Sequence, residues 1–444
     1  MPAPELPIEI QEQVLDHLHD DPSALKTCSQ TCSAWLPTAR LHFFRTVKLK
    51  KVRHCLRFLA VLESTSEASG GVGVGALVRE LHLPTMGLRQ RGRRKGQRYD
   101  LLCQILRHIP NTDTLVVRQF EWQNFLDLAS PKGADTDVDL RGVFTSVCAF
   151  PRLKTLVLQR TSVRTVREVL QLISAFPSLT TLRISEINDL ILDDVHRDTT
   201  QSTDIRVCIQ ELRFERWLGN PVPLQDAMNA FLEAPYELEL RRLLWIPRLR
   251  QADFGGHALN EIFHRSARTL EMLELEVDEA AQRIDWLMSQ GLSHHRSLKI
   301  LILSFDLMYS PRTNRGSIIP LFISSLDSSS LRELNLHFDA FDESDSQYAV
   351  DWVELPKALV SLHRRCPAVT LTLSWCIPTH RQTKLPDLAP IYRKKLQDAL
   401  HAGMRIAVVC KALDYESYSR SGGGWFEAVV DNRWWPARPA LTWL

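Results

Sequence analysis

The chain has 444 residues, of which 44% are hydrophobic and 24% charged, and its formal net charge at pH 7 is +2. A chain of this length normally forms more than one compact domain, unless the fold grows lengthwise by repetition. The near-neutral charge predicts neither a nucleic-acid nor a membrane-surface partner. Met1–Glu5 has no secretory signal pattern, no apolar stretch is long enough to span a bilayer, and nine cysteines without paired spacing suit a reducing compartment. We therefore expect a cytoplasmic or nuclear protein, or one found in both.

The first fifty residues predict three short helices. Ile10, Val14 and Leu18 recur every four residues, which places them on one helix face. Asp21-Pro22 is typical of an N-cap followed by proline at the first helical position, and Ser33 is a candidate cap for the third helix. The apolar stripes of the second and third helices are Leu25, Cys28 and Cys32, and then Leu36, Ala39 and Phe43. A module this small usually completes its core on something else.

Several residues across this module occur in a characteristic order: Leu6-Pro7, Val14-Leu15, Ala24-Leu25, Cys28-Ser29, Cys32, Trp35, Ala39-Arg40 and Phe44. This order resembles an F-box, and in particular the F-box-like domains of the large fungal families. The resemblance covers residues 5–49; the alternative is a three-helix N-terminal cap on a larger domain.

An F-box implies docking on a Skp-type adaptor, which links the chain to a cullin and a RING-type ubiquitin ligase. The residues that the resemblance implies for adaptor contact are Leu6, Pro7, Ile10, Val14, Leu15, Leu25, Cys28, Cys32 and Trp35. Some of them must instead form the small internal core of the module, and the sequence does not separate the two groups.

A second pattern, Leu-x-x-Leu-x-Leu, recurs through the middle of the chain at intervals of roughly 26 to 33 residues, which is typical of a solenoid. Clear copies begin at Leu153, Leu179, Ile209, Leu240, Leu270, Leu298 and Leu331, and weaker ones at Val78, Thr112 and Ala368. The alternation within each copy predicts a short strand with one buried face. We expect Leu156, Leu182, Leu273, Leu301 and Leu334 to point inward at equivalent places.

Helix-like stretches separate these strands. One contains Val166, Val169 and Ile173 and ends near Phe176-Pro177, because proline disfavours helix in the residue before it. The predicted fold class is therefore α/β: parallel strands on a concave face with helices outside. This is similar to the leucine-rich repeats that commonly follow F-box domains, in degenerate form because the asparagine or cysteine expected after each strand is missing. An α/β domain with unequal βα units is the alternative.

The predicted domain division is an F-box-like module at 1–49, a linker with irregular first repeats at 50–110, a leucine-rich-repeat-like solenoid at 111–375 and a C-terminal cap at 376–444. Ser64–Gly75 is predicted to be a flexible loop and Gly87–Arg98 a basic loop. The tail predicts a helix over about Pro390–Leu400 and a strand over Ile406–Val409. Its aromatic residues are expected to pack on the end of the solenoid; they are Trp425, Phe426, Trp434, Trp435 and Trp443.

The sequence predicts no catalytic, cofactor or metal site. Cys28 and Cys32 have the wrong spacing for a zinc knuckle and lie on an apolar stripe. Gly71-x-Gly73 nearly matches a dinucleotide fingerprint, but no strand precedes it. The basic run Arg89–Arg98 is either a solvated insertion, an import signal or a contact for an acidic partner.

These features predict a non-catalytic substrate-recognition subunit of a ubiquitin ligase, monomeric within a hetero-complex, that binds an unknown protein substrate. The candidate substrate contacts are exposed strand positions: Lys154, Arg183, Arg213, Glu274 and Asn335. Two alternatives stay open. One is an interaction scaffold that acts outside a ubiquitin ligase, and the other is a hydrolase or transferase with a site in the C-terminal segment.

Overall fold

The computed structural model describes residues 7–67, 73–85, 94–122, 125, 150–163, 165–185, 207–215, 228–229, 231–232, 236–246, 256–277, 292–306, 318–326, 328–339, 350–378, 389–413 and 442–443. The chain is an α/β protein that divides into two compact units. The first unit comprises Met1–Glu211 and Trp217–Glu237, and the second comprises Leu212–Arg216 and Leu238–Leu444.

The first unit begins with the predicted helices and continues into short parallel strands. Its helices are α1 (Ile8–His17), α2 (Pro22–Thr31), α3 (Leu36–Arg45), α4 (Val52–Glu67), α5 (Val74–Leu77), α6 (Arg94–Arg107) and α7 (Val166–Ser174). Its strands are β1 (Thr46–Lys48), β2 (Glu80–His82), β3 (Thr114–Arg118), β4 (Thr155–Gln159) and β5 (Thr181–Ser185). These five strands pair in chain order and in parallel.

The boundary between the units falls within β6 (Val207–Glu215), and β7 (Tyr236–Ile246) belongs to the second unit from Leu238 onward. The remaining strands are β8 (Met272–Val277), β9 (Ile300–Asp306), β10 (Glu333–Asp339), β11 (Thr370–Pro378), β12 (Arg405–Leu413) and β13 (Thr442–Trp443). The helices are α8 (Gly256–Ser266), α9 (Ile318–Ser325), α10 (Glu354–Arg365), α11 (Ala389–Lys395) and α12 (Gln397–His401). Strands β7 to β12 pair in chain order and in parallel, and β13 is antiparallel to β12.

The recurring leucines form in-register rows within each unit. In the first, Leu156 pairs with Leu182 across β4 and β5, and in the second, Leu301 lies between Leu273 and Leu334. All five are fully buried, as their spacing predicts, because side chains alternate between the two faces of a strand. Chain-order parallel pairing with such rows is compatible with a solenoid-like fold.

Aromatic side chains extend the core of the second unit. Phe305, Phe338, Trp375 and Tyr392 stack in sequence, with ring centroids 5.3, 4.3 and 5.7 Å apart. Phe338 and Trp375 occupy paired positions on β10 and β11, so the stack follows the register of the sheet. Stacked rings of this kind add stability beyond their buried area.

The loop prediction for Ser64–Gly75 is wrong at both ends. Residues 64–67 complete the last turn of α4, and Gly75 is buried within α5. A Cβ atom at Gly75 would lie 1.9 Å from the carbonyl oxygen of His108. Only glycine fits there, so this residue serves close backbone packing, not flexibility.

The basic stretch and the tail also differ from expectation. Residues 94–98 belong to α6 and not to a loop, whereas residues 86–93 lie outside the described residues. In the tail, the predicted helix is two helices, α11 and α12, and the predicted strand is β12. Since β12 pairs with β11 over nine residues, the parallel sheet continues one strand beyond the last leucine pattern. Four of the aromatic residues of the tail lie outside the described residues: Trp425, Phe426, Trp434 and Trp435. The fifth, Trp443 in β13, pairs with Ala407 in β12.

Within the part of the chain that the structure describes, none of the helices has the length and apolar character needed to cross a membrane.

Candidate functional site

The N-terminal helices α1 to α3 form the first candidate site, and their local structure follows from capping chemistry. The Asp21 carboxylate accepts hydrogen bonds from the backbone N–H groups of Ser23 and Ala24 at 2.9 and 3.0 Å, and Pro22 occupies the first helical position. Both features were predicted from the sequence. Ser33 does not cap α3, because residues Ser33–Trp35 form a 3₁₀ turn and Trp35 is the N-cap of α3.

A small core holds these helices together. Leu15 of α1, Leu25 of α2 and Ala39 of α3 are buried. Two polar links tie distant parts of the module to α1: the Trp35 indole N–H donates to the Gln11 side-chain oxygen, and a ring nitrogen of His42 lies 2.8 Å from a carboxylate oxygen of Asp16. The packing therefore fixes the orientation of α1 relative to α3.

Large apolar side chains on α1 and α3 remain outside this core. They are Ile8, Ile10, Val14, Leu41 and Phe43, between 42% and 52% exposed. We call these five residues the N-terminal apolar surface. Ile10 and Val14 are one helical turn apart and share a face of α1. Soluble monomers usually confine clusters of exposed apolar side chains to places where something binds.

The structure separates the predicted adaptor contacts into two groups. Leu15 and Leu25 are core residues, whereas Pro7, Ile10 and Val14 are exposed. Cys28, Cys32 and Trp35 are half-buried, and both thiols are free. Leu6 lies outside the described residues.

The sequence prediction missed Ile8 and Leu41 and assigned Phe43 to the wrong side of α3. Phe43 is exposed although it was predicted to share the inward stripe with Ala39. Phe44, which packs edge-on against Phe43 at 5.1 Å between centroids, is the more buried of the two. Because the two phenylalanines are consecutive, helical spacing alone does not decide which one faces the core.

The second candidate site is the face of β6 to β10 that lies opposite the leucine rows in the second unit. Arg213, Glu274 and Asn335 each stand between two inward-facing residues of their strands, so all three lie on this face, as predicted. All three side chains are half-buried, however, and not exposed as the sequence predicts. Arg213 forms an ion pair with Glu215, whose side chain is almost fully buried. We call the set of Arg213, Glu215, Glu274 and Asn335 the polar strand face.

The carboxyl group of Glu274 on the polar strand face has a shifted pKa. Burial raises the pKa of its carboxyl above the ordinary value, while the positive charges of Arg213 and His337 act in the opposite direction. The desolvation of the carboxylate outweighs these attractions. The carboxyl of Glu274 is thus partly withdrawn from solvent, in keeping with its half-buried position.

The other two predicted substrate contacts lie in the first unit. The Arg183 guanidinium donates to a carboxylate oxygen of Glu211 at 2.9 Å, with both side chains half-buried. Lys154 is exposed but directly precedes β4, and its backbone carbonyl accepts from the N–H groups of Thr180 and Thr181 at 3.0 and 2.9 Å. The backbone of Lys154 thus links β4 to the start of β5 through hydrogen bonds.

Neither candidate site has the side-chain geometry of a metal centre. Among the described residues, no group of three or more His, Cys, Asp or Glu side chains is arranged to hold a metal ion. Both sites present surfaces that suit contact with another macromolecule: apolar side chains on the N-terminal helices, and paired charges on the strands.

No protein-family model matches this chain, and a search of the curated proteins finds no match.

Proposed function

We propose that this chain is a substrate-recognition subunit resembling those of Skp-cullin-F-box ubiquitin ligases. The observation that carries the proposal is the N-terminal apolar surface, because it leaves Ile10 and Val14 exposed on the module that resembles an F-box. In this proposal the surface docks on a Skp-type adaptor, and the adaptor joins the chain to a cullin. The strands that follow the module bind a protein substrate.

Under this proposal the chain catalyses nothing itself. Its contribution is positioning: it holds a substrate lysine near a charged ubiquitin carrier, which converts a slow bimolecular encounter into an effectively intramolecular one. The leucine rows support this role, since they fix strands whose opposite face carries Arg213, Glu274 and Asn335.

The test is capture of the adaptor by the full chain and by a double variant, Ile10→Ala/Val14→Ala. The two substitutions remove five carbon atoms, and less than half of each side chain is exposed. At about 0.8 kcal/mol per buried CH₂ group, docking should lose about 2 kcal/mol, or roughly thirtyfold in affinity.

The matched control is Leu321→Ala/Val353→Ala, which also removes five carbon atoms from exposed apolar side chains, here in the second unit. It should leave adaptor affinity unchanged. Capture of adaptor and cullin together supports a ligase subunit, whereas capture of the adaptor without the cullin supports the scaffold alternative. Equal capture by the Ile10/Val14 variant and the native chain would refute the docking surface.

A further inference from the structure

A basic pocket of about 840 Å³ lies in the second unit, between helices α11 and α12 and the start of strand β12. Four of its lining side chains are basic and exposed: Arg393, Lys394, His401 and Arg405. Its accessible apolar part is formed mainly by Leu400, which is half-buried, while Met404 and Ile406 in the same lining are almost completely buried. The pocket thus combines an apolar floor with a cationic rim.

The turn between α12 and β12 builds this floor. Gly403 has a φ angle of +91°, a conformation that favours glycine. Its N–H donates to the carbonyl of Leu400 at 2.9 Å, and the N–H of Met404 donates to the carbonyl of Ala399 at 3.1 Å. This pair of bonds is the Schellman pattern of a helix C-terminus. It turns the chain sharply, so that Met404 and Ile406 follow the helix directly into the pocket.

The charge of this region is one-sided. Residues 389–406 contain Arg393, Lys394, Lys395 and Arg405 but only one acid, Asp398. Lys395 points elsewhere, since its ammonium lies 4.6 Å from the centre of the Trp352 ring, where burial lowers its pKa. The other three cations remain around the pocket, which therefore favours a negatively charged ligand.

We propose that this pocket binds an acidic segment of a protein partner, with one apolar side chain of the segment on the floor and its carboxylates against the rim. The apolar floor suits an aliphatic anchor better than a free inorganic anion. The described lining residues include no Phe, Tyr or Trp ring on which a nucleic-acid base could stack. That the segment belongs to the substrate of a ubiquitin ligase rests on the function proposed above.

The probe is a fluorescein-labelled peptide rich in Asp and Glu around one central leucine, and binding to the full chain is followed by fluorescence anisotropy. The variant Arg393→Glu/Lys394→Glu reverses two exposed rim charges and should weaken binding about tenfold or more. The control Arg296→Glu/Arg332→Glu reverses two exposed charges of the same unit that do not line the pocket. It should change affinity less than about twofold.

Two further probes test the chemistry of the ligand. A peptide with serine in place of leucine should bind about fivefold more weakly, as expected for the loss of a partly buried apolar group. A peptide with lysine in place of every acid should not bind. Equal binding of the first peptide by the rim variant and the native chain overturns the proposal, as does tighter binding of a single-stranded oligonucleotide.

Adaptor capture is measured on the same preparation, so that the two proposals fail separately. If the adaptor is captured but the acidic peptide does not bind, the pocket inference is wrong and the ligase proposal stands. If the peptide binds as expected but the adaptor is not captured, the pocket is supported as an acidic-peptide site and the ligase proposal is wrong.

Discussion

Replacing Leu301 by alanine tests the leucine row of the second unit. Leu301 is fully buried on β9, and its register partners on both adjacent strands, Leu273 and Leu334, are fully buried as well. Removal of three carbon atoms costs about 2.4 kcal/mol in transfer free energy at about 0.8 kcal/mol per CH₂. Because paired strands on both sides hinder collapse of the cavity, we expect a total loss of about 3–5 kcal/mol.

The free energy of unfolding of the second unit is measured by urea denaturation followed by tryptophan fluorescence. Leu321→Ala is the matched control, since Leu321 is 56% exposed on α9, and it should cost about 1 kcal/mol or less. Leu301→Met keeps the volume and should cost less than about 1.5 kcal/mol. If Leu301→Ala is no more destabilising than Leu321→Ala, the row does not form the core.

Three other predictions concern single groups. Asp21→Ala should lower the free energy of unfolding by about 1 kcal/mol through loss of the α2 cap, and equal thermal stability of variant and native chain would contradict this. The pKa of Glu274 is higher in the folded chain than in the unfolded chain, so the folded state loses stability as pH rises from the unfolded pKa through the folded pKa. Glu274→Gln should therefore raise the melting temperature at pH 7, and the difference should disappear at acidic pH. Burial lowers the pKa of His295, which packs edge-on against Phe263, so stability should fall as pH drops below about 6.5. His295→Leu should reduce this acid-dependent loss, whereas substitution of the exposed His264 should not.

The N-terminal helices show how far local patterns carry. Asp21-Pro22 predicts the start of α2 correctly because capping depends on a carboxylate and the next three backbone N–H groups, all local. The burial of Leu15 beside the exposure of Val14 is not local. It depends on where α2 and α3 pack against α1. Because Val14 and Leu15 are both apolar, the sequence fits the burial of either one.

The strand region shows the same division. The leucine pattern predicts which residues of β9 and β10 point inward, since side chains alternate along any strand. The pattern does not extend to β12, where Ile406-Ala407-Val408 replaces the leucines. The apolar run predicts a strand there, and the pairing with β11 places that strand in the parallel sheet. The leucine pattern also does not predict the raised pKa of Glu274, because desolvation of its carboxyl depends on neighbours from other strands.

By itself, the sequence determined the three N-terminal helices, the inward leucines and the cap of α2, because each follows from spacing or from chemistry within a few residues. Only the tertiary structure decided which apolar side chains of α1 and α3 stay exposed, and which cations line a pocket with Met404 and Ile406. The exposure of a side chain and the clustering of charges depend on how segments distant in sequence pack together. Local spacing of residues along the chain does not predict that packing.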